Sequence, residues 1–259
     1  MPDPTPAERQ ILIVAGEASG DLHGANLIRA AREIDPGLSF FGVAGSRMRE
    51  AGCRVLVPAE ELAVMGLVEV VERFPAIRRA FRTVQRALRG EPRPDLIILI
   101  DYPGFNLRLA RQARLAGVPV LYYISPKVWA WKRGRVKTIA RDVDHLAVIF
   151  PFEPELYRGL ELTVSYVGNP LLDEFQRPRE RGEFLAACGL DPAAPTIGLF
   201  PGSRRSEIRY CLPTLLATAR RLHGARPDLR FLVPLAPSLE RDLLAAPLAA
   251  SGLPVTLLE

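Results

Sequence analysis

With three cysteines, three histidines and no CxxC pair in 259 residues, the chain has little material for a disulfide framework or a zinc site. Cys53, Cys188 and Cys211 lie far apart, so reduced thiols are expected. No apolar run approaches the ~20 residues of a membrane-spanning helix. The longest, Leu96 to Ile100 and Val118 to Tyr123, are strand-sized. The first ten residues are polar and proline-bearing and lack the basic-then-apolar build of a secretion leader, which predicts a disordered start and a cytoplasmic protein. Neither GxGxxG nor a P-loop Gly-Lys-Ser/Thr occurs, so the commonest dinucleotide and triphosphate cradles are excluded.

A hydrophobic content of 48% suffices for one large or two modest cores. The net charge of +5 suits anionic partners without choosing among nucleic acid, acidic membrane and phosphorylated ligands. Short β-rich runs alternate with amphipathic stretches: Ile11 to Ala15, Leu38 to Val43, Leu96 to Ile100, Val118 to Tyr123, Leu146 to Ile149 and Val164 to Val167 read as strands of a parallel sheet. A second series, Thr196 to Phe200, Arg230 to Pro234 and Val255 to Leu258, surrounds a helical stretch from Glu207 to His223. The expected class is α/β with two Rossmann-like parallel-sheet domains. These follow a disordered 1–10 and cover 11–170 and 171–259, the second domain having fewer strands than a doubly wound sheet needs. The polar stretch Gly168 to Asp191 serves as connector, with Leu171 to Phe175 and Glu180 to Cys188 as possible helices.

Several junctions carry chemistry. Gly16-Glu17-Ala18-Ser19-Gly20-Asp21 follows the first strand and opens a helix, exposing amides that suit an anion or a sugar hydroxyl. The plainer reading is a turn capped by Ser19 or Asp21. Asp101 ends the strand Leu96 to Ile100, at the sheet edge where open α/β folds bind ligands and where a carboxylate can take a proton from a hydroxyl. A helix cap is the bland alternative. The run Tyr122 to Arg135 holds both tryptophans and four cations. Such a run can stack nucleobases, but indoles packed into the domain with cations on a solvated helix start are favoured. Asp142-Val143-Asp144 matches a DxD metal pattern but runs into a strand, which favours a structural role, and His145 reads as a satisfied histidine. Pro201 to Ile208 places Arg204 and Arg205 at a strand-turn-helix junction suited to a diphosphate, or alternatively to pairing with Glu207. Phe74, Ile77, Phe81, Val84 and Leu88 form a helical stripe opposite Arg78, Arg82, Arg86 and Arg89. Such a stripe faces either a core or a membrane surface.

Taken in order, VAGEASGD (14–21), GVAGSRM (42–48), ELAVMGLVEV (61–70), DYPGFN (101–106), SPKVWAW (125–131), FPFE (150–153), VGNP (167–170) and PGSRRSEI (201–208) resemble the lipid A disaccharide synthase family over nearly all of 11–259. The resemblance implies a GT-B glycosyltransferase joining UDP-2,3-diacylglucosamine to 2,3-diacylglucosamine 1-phosphate (lipid X), giving a β-1,6-linked disaccharide and UDP. By the same likeness, Asp101 is the general base, with Glu17 and Ser19 bordering its cleft. Gly202, Ser203 and Arg204 steady the donor diphosphate. Met65, Leu67, Val68, Val70, Val71, Phe74 and Ile77 form a patch that meets the acyl chains and the anionic cytoplasmic face of the inner membrane. The resemblance further implies peripheral membrane association, no metal or other cofactor, no nucleic-acid partner, and a possible homodimer at full length. Lys127 stands where the family favours a smaller or uncharged polar residue, and Ser46 where it favours proline. The family's later uridine-holding motif is absent, so this chain alone is expected to transfer little sugar. The runner-up readings are another UDP-sugar GT-B enzyme and a non-catalytic fragment that keeps membrane or acceptor affinity.

Overall fold

A computed structural model describes residues 9–62, 67–131, 133–173, 179–236 and 239–258; within 67–73 only the backbone is described. The chain divides into two compact units, Met1–Phe175 and Gln176–Glu259.

The first unit is a seven-stranded parallel sheet in the order β3-β2-β1-β4-β5-β6-β7. Its elements run β1 (Arg9–Ala15), α1 (Ala18–Ile34), β2 (Leu38–Ala44), α2 (Ser46–Glu50), β3 (Arg54–Pro58), α3 (Leu67–Ala87), β4 (Leu96–Ile100), α4 (Pro103–Leu115), β5 (Val120–Tyr123), α5 (Arg135–Asp142), β6 (His145–Val148) and β7 (Thr163–Tyr166). Parallel strands need crossovers, and the helices supplying them cover both faces, so the central strands are apolar without alternation. Ile97 and Leu99 of β4 pack into the core shared with α4 and α5, while Ile98 and Ile100 pack with Ile28 of α1. β1 begins at Arg9, inside the segment expected to be disordered, because Arg9 and Gln10 pair with Leu38 and Ser39 and the Gln10 amide donates to Asp95 at 2.8 Å. Residues 1–8 lie outside the described residues. β3, which no clear period marks in the sequence, is an edge strand whose register with β2 shifts between Gly42 and Val43.

The second unit holds α6 (Arg181–Ala187), β8 (Thr196–Gly198), α7 (Arg205–Ala225), β9 (Arg230–Pro234), α8 (Asp242–Ala250) and β10 (Val255–Leu258). Its three strands are parallel in the order β10-β9-β8 around Phe231, Val233 and Leu216. β8 stops at Gly198 rather than Phe200, whose ring is 74% exposed. Pro170–Leu172 forms a short 3-10 turn, fixed by the Asn169 side chain accepting from the Leu171 amide; Glu174 and Phe175, the end of the possible helix there, lie outside the described residues.

Candidate active site

The order of the first sheet reverses between β1 and β4, since β1 continues to β2 on one side and β4 to β5 on the other. That reversal opens a crevice at the carboxyl ends of the two strands. The motifs VAGEASGD and DYPGFN both lie there. Gly16 follows β1, and Asp101 follows β4 directly. Gly16 is required by close approach: a Cβ at this position would lie 2.6 Å from the Tyr102 ring. Tyr102 in turn donates its hydroxyl to the Leu62 carbonyl at 3.1 Å, fastening the DYPGFN turn across the crevice.

That turn is strained. Asp101 and Tyr102 have φ of 44° and 45°, and Ile124 at the end of β5 has 65°; among the described residues these are the non-glycine residues with positive φ. Each such placement costs on the order of 1–3 kcal/mol and persists only where its surroundings enforce it. Asn106 enforces this one. Fully buried on α4, it donates Nδ2 to the carbonyls of Ile100 at 3.0 Å and Asp101 at 2.8 Å, and the Tyr122 hydroxyl donates to the Asp101 carbonyl at 2.6 Å. These bonds hold the Asp101 backbone just past the carboxyl end of β4, where the residue lines a small cavity.

Burial raises the Asp101 carboxyl above its ordinary value, and the neighbouring Glu17 raises it further; the Tyr102 amide and Lys127 oppose the shift. A half-buried carboxylate held above its usual range is a stronger proton acceptor than a solvated one. Glu17 and Ser19 are exposed at the mouth of the crevice, and the Glu17 charge reaches Asp101. The plain reading of the first glycine turn, a cap by Ser19 or Asp21, needs correction. Glu17 occupies the N-cap of α1 and no side chain caps it. Asp21 is buried and accepts from the amides of Gly45 at 2.7 Å, Arg47 at 3.0 Å and Met48 at 3.2 Å, so it caps α2 instead. Those three amides belong to the GVAGSRM motif.

The tryptophan run closes another side of Asp101. Ser125 bonds the Tyr157 hydroxyl at 2.9 Å, and Trp129 packs edge-on to Phe150 and Phe152 at 6.3 and 5.6 Å. Buried Glu153 gathers the amides of Ile149 and Phe150 and a bond from Trp129, which gives the FPFE motif its role as anchor of this loop. Trp131 is 58% exposed, with the Arg135 guanidinium over its ring at 5.4 Å. Trp129 therefore packs against the two phenylalanines while staying 38% exposed, whereas the Trp131 indole lies largely in solvent, unlike the expectation that both indoles pack into the domain. Sequence reasoning gave no role to Tyr102, Asn106 or Glu153, although each sits inside a motif it had singled out.

Asp142 and Asp144 do not share a loop face: Asp142 is held bidentately by Arg141, and Asp144 accepts from the Val120 amide at 2.8 Å. His145 is satisfied by Ser165 at 2.9 Å. Burial pushes the Cys53 thiol up to about 12, so this cysteine is inert as a nucleophile.

In the second unit the turn from 199 to 204 leads into α7. Glu207 reaches back along the helix: its carboxylate accepts from the amides of Ser203 at 2.8 Å and Arg204 at 3.2 Å and pairs with the Arg204 guanidinium at 2.7 Å. The Arg204–Glu207 pairing weighed from sequence is thus formed, and a carboxylate sits on the amides and guanidinium assigned there to a diphosphate. Gly202, with φ of 112°, allows the turn; a Cβ there would lie 2.5 Å from that of Glu207. Arg205 pairs with Glu240 at 2.7 Å.

Of the apolar patch, Met65 lies outside the described residues, as do the side chains of Leu67, Val68, Val70 and Val71. Farther along α3 the stripe divides. Ala80, Val84 and Leu88 are buried in the core, whereas Phe74 is 56% exposed. Phe74, Ile77, Phe81, Tyr102 and Phe105 line a groove of about 390 Å³ rimmed by Arg78 and Arg108, and Arg78, Arg79, Arg82 and Arg86 crowd one exposed side.

A seven-stranded parallel sheet followed by a second parallel α/β unit gives the chain the GT-B type of fold, which glycosyltransferases and sugar-nucleotide epimerases share. Solved structures agree in fold: UDP-GlcNAc 2-epimerase from Neisseria meningitidis bound to UDP-GlcNAc has a TM-score of 0.63 at 11% identity, over 96% of this chain and 72% of that one. Medicago truncatula UGT71G1 complexed with UDP-glucose has a TM-score of 0.55 at 14% identity, over 100% and 73%. The family is narrower. The chain belongs to the lipid-A-disaccharide synthetase family, whose model matches residues 11–259. It is 59% identical over 251 residues to a lipid-A-disaccharide synthase of Syntrophotalea carbinolica and 56% identical over 247 residues to that of Geobacter sulfurreducens. These matches cover 97% and 95% of this chain, and the chain spans 64% of the length of each relative.

Proposed function

We propose that the chain carries the acceptor side and part of the donor side of a glycosyltransferase that builds the lipid A disaccharide. The reaction joins UDP-2,3-diacylglucosamine to 2,3-diacylglucosamine 1-phosphate. The acceptor hydroxyl oxygen bonds to the donor's anomeric carbon, its proton passes to the Asp101 carboxylate, and the bond from that carbon to the diphosphate oxygen breaks to release UDP. The observation carrying this reading is the strained, half-buried Asp101 at the sheet's switch point, raised in basicity by burial and Glu17. Removing a proton as the carbon–oxygen bond forms is the service such a carboxylate can render. Gly202, Ser203 and Arg204 are assigned to the departing diphosphate, with Glu207 as the internal anion it must displace.

The groove from Phe74 to Phe105 runs up to Tyr102, the neighbour of Asp101, and is assigned to an acyl chain. The arginines of α3 beside it suit an anionic bilayer surface, to which each contributes about 1 kcal/mol. No helix among the described residues is long and apolar enough to cross a membrane, so attachment is assigned to this face. By the family resemblance the full-length form is assigned a homodimer.

The test is mass spectrometry of both diacylated substrates in mixed micelles, with this chain and with a chain of the relatives' full length. Disaccharide together with UDP is expected from the full-length chain, and little from residues 1–259. Turnover of the sugar nucleotide without disaccharide would sink the reading and favour an epimerase or another acceptor.

A further inference from the structure

We propose that Lys127 and Arg135 form an anion subsite beside Asp101 that takes the phosphate of the acceptor sugar, with the Trp131 indole as the wall along the sugar ring. The inference rests on the reading of Asp101 as the base for that acceptor. Asp101, Pro126, Lys127, Trp131 and Arg135 line one cavity of about 170 Å³. That exceeds by far the roughly 10–15 Å³ that admits one water, so the space suits a small polar ligand.

Two cations and one carboxylate line this cavity. No hydrogen bond or ion pair to a described residue engages the Lys127 ammonium or the Arg135 guanidinium, and Lys127 acts on Asp101 and Glu153 only through its field. Arg135 is held over the indole at 5.4 Å. A guanidinium held over an indole face keeps its five N–H donors for other partners. A fixed fork and a nearby point charge together match a phosphate monoester, which carries about −1.5 to −2 at neutral pH. One cation would have sufficed to balance Asp101.

The loop is built to hold this arrangement. Ser125 is tied to Tyr157, and Trp129 is wedged against Phe150 and Phe152, so Lys127 and Trp131 project from anchored backbone. The arginines of the 201–208 turn belong to the second unit and are paired with Glu207 and Glu240. The anion next to Asp101 is therefore assigned to the molecule whose hydroxyl Asp101 serves. Chemically, the acceptor is a sugar carrying both a nucleophilic hydroxyl and a phosphate monoester, and its phosphate sets the register of the hydroxyl on Asp101.

The experiment is calorimetric titration of the chain, in neutral mixed micelles, with 2,3-diacylglucosamine 1-phosphate and with the same lipid lacking its phosphate. The wild-type chain is expected to prefer the phosphorylated lipid by about tenfold or more. The Lys127→Ala/Arg135→Ala double variant should lose that preference and bind the unphosphorylated lipid as before. Arg135→Lys should recover only part of it, because charge returns without the fork. Equal wild-type affinity for the two lipids would overturn the proposal, and so would a preference that survives in the double variant. Competition by inorganic phosphate or UDP as strong as that of the sugar phosphate would also overturn it. Should the double variant melt early, Lys127→Gln alone supplies the comparison at an exposed position. Asp101→Asn separates the two readings: loss of transfer at full length with the phosphate preference kept supports both, whereas full transfer by this variant removes the base and leaves the subsite standing on its own titration.

Discussion

The glycine turn of the first unit and that of the second are both strand-to-helix junctions, yet they are secured in opposite ways. In the first, the partners come from far along the chain: Gly16 yields space to Tyr102, and Asp21 caps α2 through Gly45, Arg47 and Met48. In the second, the turn itself is held locally, with Glu207 binding Ser203 and Arg204 within one helical turn, while Arg205 reaches out to Glu240. The long-range design fixes a strained carboxylate in one position. The local design leaves an exposed carboxylate that an incoming anion can replace. Rigid aim suits a group that must meet a particular hydroxyl, and exchange suits a site that must take and release a charged product.

The sharpest way to break this comparison is Asp101→Asn. In a full-length chain it should lower transfer by about 100- to 10,000-fold, measured as UDP release. The same change should raise the melting temperature. A carboxyl whose folded value is raised contributes stability below its unfolded value and loses it as pH rises through the folded one, and asparagine stays neutral throughout. Full activity, or a lower melting temperature at neutral pH, would contradict the assignment.

Next in size is Asp21→Ala, which strands three amides around a buried gap and should destabilise the first unit by about 2 to 4 kcal/mol in denaturant unfolding. Glu207→Gln should leave the melting temperature nearly unchanged and tighten UDP binding, because the competing carboxylate is weakened while Ser203 and Arg204 remain. Equal destabilisation by the two substitutions would erase the distinction between long-range and local design. The Ser203 amide first, and then the Arg204 side chain, lower the Glu207 carboxyl, so its contribution is present at neutral pH and lost as pH falls through the depressed value.

Gly16→Ala should cost about 1 to 3 kcal/mol by overpacking against Tyr102 and should reduce transfer as well, since it displaces the neighbour of Asp101. Gly202→Ala should cost a comparable amount through its backbone and weaken UDP binding without changing acceptor affinity.

The smallest expected effect is the finest probe of the first site. Transfer should fall as pH drops through the raised Asp101 value. Glu17→Gln should move that acidic limb down and Lys127→Ala should move it up, because the two charges push the carboxyl in opposite directions. Shifts of the same sign in a pH–rate profile would mean that Asp101 is not the group being titrated.

The amino-acid sequence by itself determined the class of the fold and most of its strands. Leu96 to Ile100 and Arg230 to Pro234 were readable to the residue, because the middle of a central parallel strand is apolar without alternation. It also placed Asp101 at a sheet edge, since a carboxylate directly after such a run has nowhere else to stand. The local Arg204–Glu207 pairing was legible from spacing alone. β3 was not, being an edge strand of half-buried residues without a clear period. Only the tertiary structure decided which helix Asp21 caps, that Asn106 holds the strained turn, and that Arg135 stacked on Trp131 shares a cavity with Asp101. Those partners lie between 4 and 34 residues apart, and neither propensity nor periodicity encodes which loop ends meet at a sheet's switch point.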